Sequence, residues 1–186
     1  MSAHQNSVVL VNENDHVVGQ MEKMKAHRLG LLHRAISVFI FNDNSELLIQ
    51  QRAFDKYHSR GLWSNTCCSH PYPGENVVTA GERRLTEEMG MTCLLEPLFH
   101  FTYFVELEEG LIENELDHVL IGWSNETPDL NIDEVCNYRW ISMDELKQAI
   151  ADQPEQYTFW LKHILENYSE DFINCLAHES LQKGNI

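Results

Sequence analysis

The spacing of apolar positions in the first half of the chain predicts short strands followed by a long loop. Residues 8–11 and 35–41 are nearly continuous apolar runs of strand length. After a polar turn at residues 42–44, an apolar run at 47–49 predicts the partner strand of a hairpin. Residues 53–76 are rich in glycine and proline, which predicts a loop with short ordered pieces.

A helix is predicted over residues 77–89. Its apolar positions recur every four residues and define one face. These positions are Val77, Gly81, Leu85 and Met89. Gly90 follows directly and has the backbone freedom to end the helix.

Further strands and helices in the second half predict a mixed architecture. The predicted strands are residues 99–106, 116–123 and 138–141. Ser142 and Glu145 have the spacing of a capping box, which predicts a helix to about residue 151. Two more helices are predicted at about residues 155–167 and 170–182. Strands with flanking helices predict an α/β (α+β mixed) fold in which a mixed sheet lies between helices.

Length and composition indicate a folded protein with one domain. A chain of 186 residues fits a single domain over residues 1–186, and 43% hydrophobic residues can build its core. The N-terminal residues lack the basic and apolar regions of a signal peptide, and the apolar stretches are too short to span a bilayer. The 5 cysteines lack the spacing of a disulfide framework. We therefore expect a cytoplasmic protein, as a monomer or a homodimer.

The charge distribution separates a basic from an acidic half of the chain. The net charge of −16 argues against nucleic acid and anionic membranes as partners. Nine of the 13 Lys and Arg residues lie between Lys23 and Arg84, and none lies between Leu85 and Tyr138. This arrangement suits a small anion that a metal bridges to carboxylates. Uneven charge on a solvated surface is the alternative interpretation.

Two short motifs contain candidate chemistry. Cys68 precedes His70 by two residues, which places a thiol close to an imidazole. Glu113 and Glu115 have the same spacing, and in a strand that spacing directs both carboxylates to one face. A thiol, an imidazole and several carboxylates are the components of a metal-dependent acid–base site.

The end of the predicted helix carries two acidic residues. Glu87 and Glu88 lie where the helix macrodipole disfavours anions, which suggests a compensating cation such as a divalent metal. Alternatively, Arg83 and Arg84 form i, i+4 surface ion pairs with them, worth roughly 0.3–0.5 kcal/mol per pair.

This region resembles the Nudix box, a loop–helix–loop motif that holds metal against a diphosphate. The motif here is Ser69-x5-Glu75-x7-Arg83-Arg84-Leu85-Thr86-Glu87-Glu88-Met89-Gly90-Met91. Ser69 replaces the usual Gly, and Arg84 replaces the first Glu of the Arg-Glu pair. Both departures match the variant box of the type 1 isopentenyl-diphosphate delta-isomerases, which the chain resembles from about residue 8 to residue 160. The other matching motifs are His27 with His33, Asn65-Thr66-Cys67-Cys68-Ser69-His70-Pro71, Tyr103 and Glu113-Asn114-Glu115.

The resemblance implies two metal sites. The first is a Mn²⁺, Mg²⁺ or Zn²⁺ site whose ligands are His27, His33, His70, Glu113 and Glu115. The second is a Mg²⁺ that bridges the substrate phosphates and contacts Glu88, with the carbonyl oxygen of Cys68 completing its shell. No metal role is expected for His4, His16, His58, His100, His118, His163 and His178.

The resemblance also implies a substrate and a reaction. The substrate is a small isoprenoid diphosphate, and the expected diphosphate-binding residues are Lys23, Arg52, Lys56 and Arg84. Cys68 and Glu115 are the expected acid–base pair, and Tyr103 hydrogen-bonds Glu115. Trp160 faces a carbocation. The alternatives are a Nudix hydrolase of a nucleoside diphosphate derivative and a non-catalytic binding module on the same fold.

Overall fold

The computed structural model describes the backbone of residues 6–183 and the side chains of residues 6–179. The strands are β1 (Ser7–Val11), β2 (Val17–Glu22), β3 (His33–Phe41), β4 (Leu47–Arg52), β5 (Trp63–Ser64), β6 (Cys67–Ser69), β7 (Glu96–Glu106), β8 (Ile112–Trp123) and β9 (Val135–Ile141). The α-helices are α1 (Lys23–Leu29), α2 (Val77–Met89), α3 (Met143–Asp152) and α4 (Phe159–Lys183). His4 and the two ends of the predicted domain, 1–5 and 184–186, lie outside the described residues.

β3 is the centre of a mixed sheet. It runs parallel to β8 along its whole length and antiparallel to β1, β4 and β6. β7 pairs with β8, β9 pairs with β4, and β2 pairs with β1, all antiparallel. The predicted hairpin forms at its turn, where Phe41 pairs with Leu47. Beyond the turn the two strands pair with other neighbours, so the hairpin prediction is correct only at the turn.

Helices cover both faces of this sheet. Phe39 of β3 points to one face, where its ring lies 4.7 Å from that of Phe172 in α4. Val38 and Ile40 point to the other face and pack in a buried cluster with Leu85 of α2. This alternation follows from the period of two along a strand. The predicted fold class, a mixed sheet between helices, is confirmed.

The elements with strong local signals occur as predicted. The helix over 77–89 is α2, and Gly90 ends it with a left-handed φ of 63°. The capping box of Ser142 and Glu145 is present at the start of α3. The last two predicted helices form the single element α4, which is interrupted by the non-helical φ of −128° at Tyr168.

β2 and α1 were not predicted. α1 has only seven residues and no long apolar stripe, so its sequence has little helical signal. Its ends are held locally, because the Glu22 side chain accepts from Met24 N and Lys25 N and Gly30 takes a left-handed φ of 60°. Across residues 6–183, no helix is both long and apolar enough to cross a membrane.

Candidate active site

Five predicted metal ligands converge at one end of the central strands. His27 lies on α1, and the left-handed turn at Gly30 reverses the chain so that His33 begins β3. The parallel pairing of β3 and β8 sets His33 directly beside Glu115. Glu113 lies two residues earlier on the same face of β8. His70 follows β6, and its Nε2 lies 2.8 Å from Glu115 Oε1.

The backbone orients the ring nitrogens of two of these histidines. His27 Nδ1 lies 2.7 Å from the carbonyl oxygen of Lys23, and His33 Nδ1 lies 2.8 Å from that of Leu31. With Nδ1–H donating to a carbonyl, the lone pair of each Nε2 faces the cluster. Such a hydrogen bond is the usual means of fixing a metal-binding imidazole.

The cluster fits a metal ion. The five ligand atoms of His27, His33, His70, Glu113 and Glu115 all lie within 4.8 Å of one another. Among the described residues, His27 Nε2 and Glu113 Oε2 are buried without a hydrogen-bond partner, although they face each other at 3.4 Å. Buried polar atoms that lack a partner are costly, and a shared cation would satisfy both. This buried group is therefore able to bind a metal ion.

The two carboxylates of the cluster differ in acidity. Burial and the neighbouring charge of Glu113 raise the pKa of Glu115 to about 7. Burial favours a higher pKa for Glu113 as well, but the imidazoles of His27 and His58 outweigh burial. The pKa of Glu113 therefore lies well below its usual range. The two groups titrate as a pair, in which Glu113 is the anion and Glu115 is the member that takes up a proton.

Tyr103 contacts Glu115 Oε2, the oxygen that does not face His70. Its hydroxyl donates to Glu115 Oε2 over 2.6 Å, from the neighbouring strand β7. Burial and the charge of Glu115 raise the pKa of Tyr103 well above its usual value. The hydroxyl therefore remains protonated and serves as a hydrogen-bond donor.

The adjacent cysteines lie on opposite faces of the sheet. Cys67 is fully buried in the cluster beneath α2, whereas Cys68 lines the same pocket as Glu115. Cys68 Sγ lies 3.4 Å from Ser64 Oγ and 3.6 Å from Asn65 Oδ1. Burial raises the pKa of the Cys68 thiol to about 11, against the opposing effect of Arg52. The thiol is therefore neutral in the free protein.

Four cationic side chains and a tryptophan, which forms the aromatic wall of the pocket, line the space around Cys68 and Glu115. They are Lys23, Arg52, Lys56, Arg84 and Trp160. Burial lowers the pKa of Lys23 to about 8. The Arg52 guanidinium lies 5.3 Å from the Trp160 ring, whose Nε1 donates to Ser64 Oγ over 2.9 Å. The pocket therefore combines a positive region with a buried indole.

Glu88 lies apart from the five-residue cluster. It is 2% exposed, and its oxygens accept from Arg84 and from Gln50 Nε2 at 3.0 Å. Arg84 is thus a compensating cation for the acidic end of α2. The ion-pair interpretation of this helix end is therefore realised in this structure.

Two residues of the site had no role in the sequence interpretation. His58 contacts Glu113 Oε1 from Nε2 at 2.8 Å, although it is not among the five grouped ligands. Glu134 forms ion pairs with both Lys56 and Arg84. A lone histidine in a loop and one acidic residue in an acidic region contain no signal that would have distinguished them.

Comparisons with known proteins show the family to which this chain belongs. Residues 31–165 match the NUDIX domain. A Pectobacterium atrosepticum protein named isopentenyl-diphosphate Delta-isomerase is 56% identical over 155 residues, which cover 83% of this chain and 87% of the relative. The chain belongs to the isopentenyl-diphosphate Delta-isomerase family. Another member, isopentenyl-diphosphate Delta-isomerase 2 of Aromatoleum aromaticum, is 49% identical over 87% of this chain and 86% of its own length.

Solved structures share the fold of this isopentenyl-diphosphate Delta-isomerase family member. DR0079 of Deinococcus radiodurans has a TM-score of 0.73 at 22% identity, covering 87% of this chain and 99% of its own. A MutT NUDIX hydrolase from Burkholderia pseudomallei has a TM-score of 0.59 at 18% identity, covering 74% and 98%. At these identities the likeness shows the fold alone. The family and the Nudix-like fold expected from the motifs are both confirmed.

Proposed function

We propose that this protein interconverts isopentenyl diphosphate and dimethylallyl diphosphate by a 1,3 proton shift. One observation carries the proposal: the Cys68 thiol and the Glu115 carboxyl line a single pocket that also contains four cationic side chains. Proton transfer needs two acid–base groups, and a diphosphate needs the cations. The names of the relatives described above support the same substrate and reaction.

The cationic residues bind and orient the diphosphate. Arg52 and Arg84 offer paired N–H donors, and Lys23 and Lys56 contribute compact charges. Glu134 holds Lys56 and Arg84 in place through ion pairs. Glu88 and the carbonyl oxygen of Cys68 are the groups that would hold a Mg²⁺ ion, which would supply positive charge to the diphosphate, and Glu88 would then exchange part of its ion pair with Arg84 for the metal. For the His/Glu cluster, the mixture of nitrogen and oxygen ligands suits Mn²⁺, Mg²⁺ or Zn²⁺.

Glu115 and Cys68 perform the proton transfers. In the direction of dimethylallyl diphosphate, Glu115, held by Tyr103, gives its proton to the terminal alkene carbon, and the positive charge develops at C3. Cys68 acts as the base at C2 in its thiolate form, which has to be reached from the neutral thiol of the free protein, and the electrons of the broken C–H bond form the new double bond. The positive charge of Arg52 favours the thiolate. A metal ion bound by the cluster would make the Glu115 carboxyl more acidic.

The pocket protects the cationic intermediate. Trp160 is 4% exposed and lines the pocket together with Tyr103. An aromatic face stabilises a desolvated cation by about 2 kcal/mol or more. The buried surroundings also keep water away from C3, where it would otherwise add to the carbocation.

The test is NMR of the Mg²⁺-supplemented protein with isopentenyl diphosphate in D₂O. We expect dimethylallyl diphosphate with deuterium in a methyl group, and deuterium at C2 after re-equilibration. Cys68→Ala and Glu115→Gln should each lose nearly all turnover while the protein stays folded. Release of free phosphate would indicate a hydrolase instead, and bound substrate with an unchanged spectrum would indicate a binding module.

We further propose that the chain is a single domain acting in the cytoplasm, as a monomer or a homodimer. The continuous sheet, which the described strands all share, supports the single domain. Size measurement in solution with and without Mg²⁺ distinguishes the two oligomeric states.

A further inference from the structure

His58 lies between the proposed metal site and the aromatic wall of the pocket. It belongs to the segment between β4 and β5 and is 3% exposed. Its Nε2 lies 2.8 Å from Glu113 Oε1, and its Nδ1 lies 3.1 Å from Ser59 Oγ. With Nε2 protonated, the ring donates to Glu113 and accepts from the Ser59 hydroxyl, so both ring nitrogens have partners.

Two aromatic neighbours and a backbone hydrogen bond hold the His58 ring in place. Its edge meets Trp160 with ring centroids 5.8 Å apart at 90°, and it meets Tyr57 at 4.4 Å and 89°. The backbone is held as well, because Arg52 Nη2 donates to the His58 carbonyl oxygen over 3.3 Å. A buried ring with these contacts has little rotational freedom, so it can fix the orientation of any group to which it hydrogen-bonds.

The two oxygens of Glu113 have different surroundings. Oε1 is engaged by His58, whereas Oε2 faces His27 Nε2 at 3.4 Å without a hydrogen-bond partner among the described residues. A carboxylate held through one oxygen cannot rotate freely about its last bond. The other oxygen is therefore kept in the direction of the five-ligand cluster.

We propose that His58 is a positioning residue that holds Glu113 Oε2 toward the metal and, through its edge contact, holds Trp160 against the pocket. His58 is not itself a ligand, because it lies outside the group of five residues and its Nε2 is directed at Glu113 Oε1. The inference deepens the proposed function, on which its consequence for turnover rests. Its consequence for metal affinity stands independently of the reaction.

The experiment compares His58→Leu, His58→Gln and the matched control His118→Gln. Leu removes the donor, whereas the amide nitrogen of Gln can replace Nε2. His118 contacts Asp15 at 3.1 Å outside the cluster, so its change to Gln tests the same substitution elsewhere. Metal-free protein is titrated with Mn²⁺ alone. The affinity is measured by calorimetry, and the surroundings of the bound ion are followed by the electron paramagnetic resonance spectrum of Mn²⁺.

Loss of a group that orients a metal ligand typically lowers metal affinity roughly 10–100-fold, and we expect a change of that size for His58→Leu. His58→Gln should recover most of the affinity and the wild-type spectrum, and the His118 control should match the wild type. In turnover, kcat should fall for His58→Leu with KM nearly unchanged, because the diphosphate-binding cations remain.

Two results would overturn the inference. One is wild-type Mn²⁺ affinity in a folded His58→Leu protein. The other is an equal loss in His58→Gln and His58→Leu at unchanged melting temperature, since a retained donor would then have no value. If the wild type binds Mn²⁺ but converts no isopentenyl diphosphate, the proposed function fails, and the affinity comparison still decides the role of His58.

Discussion

Tyr103→Phe tests the hydrogen bond that we assign to proton transfer by Glu115. The change removes one hydroxyl, whose oxygen lies 2.6 Å from Glu115 Oε2. Tyr103 and Glu115 are 7% and 6% exposed, so bulk water does not readily replace the lost donor. The ring contacts with Phe101 and Phe159, at 5.7 and 5.9 Å, remain. The variant should therefore fold normally.

The expected loss of rate in Tyr103→Phe follows from the charge of the hydrogen-bond acceptor, the Glu115 carboxylate. A hydrogen bond to a charged group contributes about 1.5–3 kcal/mol. If that energy is expressed in the transition state, each 1.36 kcal/mol is a factor of ten in rate, and turnover falls roughly 10–150-fold. KM should change little, because the cations that we propose bind the diphosphate are untouched.

The assay is the initial rate of dimethylallyl diphosphate formation over a range of substrate concentrations, with Tyr157→Phe as control. The Tyr157 hydroxyl also bonds to a charged group, accepting from Arg139 Nη2 over 2.8 Å, but it does not line the pocket. An unchanged rate in Tyr103→Phe would refute the coupling to Glu115. Complete loss of turnover would show instead that the hydroxyl itself transfers the proton.

Four further outcomes are expected. Cys67→Ala should keep turnover and lose about 1 kcal/mol of unfolding free energy, whereas Cys68→Ala should keep its stability and lose turnover. Similar turnover in the two variants would contradict the placement of Cys67 and Cys68 on opposite faces of the sheet. In Gly81→Ala the new Cβ would lie 2.5 and 2.8 Å from two leucine side chains, an overpacking that costs about 1–3 kcal/mol. The gain of about 1 kcal/mol in helix propensity offsets part of this cost, so denaturant melts should show a net destabilisation of up to about 2 kcal/mol. Burial raises the pKa of Glu75, but the ion pair with Arg83 outweighs this effect, so the folded-state pKa lies below the usual value. The pair therefore stabilises the fold at pH values above the unfolded pKa, and this contribution disappears as pH falls through the folded pKa. Glu75→Gln should therefore lose less stability than the wild type on acidification, and equal losses would contradict this sign. Removal of bound metal by a chelator should lower the melting temperature, because a ligand at a hundredfold excess over its Kd stabilises the folded state by about 2.7 kcal/mol. An unchanged melting temperature would contradict the view that metal bound to the His/Glu cluster stabilises the fold.

Several features of this protein were determined by local sequence alone. α2 and its end at Gly90 depend on an apolar stripe and one left-handed residue, and the start of α3 depends on a capping box of four residues. The opposite placement of Cys67 and Cys68 needs only the period of two along a strand. These interactions span a few residues, so the chain contains them before it folds.

The remainder depended on pairings between distant segments. The register of β3 beside β8 brings His33 to Glu115, and the Gly30 turn brings His27 to both. The contact of His58 with Glu113 joins segments 55 residues apart. No local pattern specifies such a contact, because its free energy comes from burying both groups together in a packed core. The sequence by itself therefore determined the family and the sheet-and-helix composition and singled out the proposed reactive residues. Only the tertiary structure decided how a short helix, one loop histidine and two carboxylates share a single site.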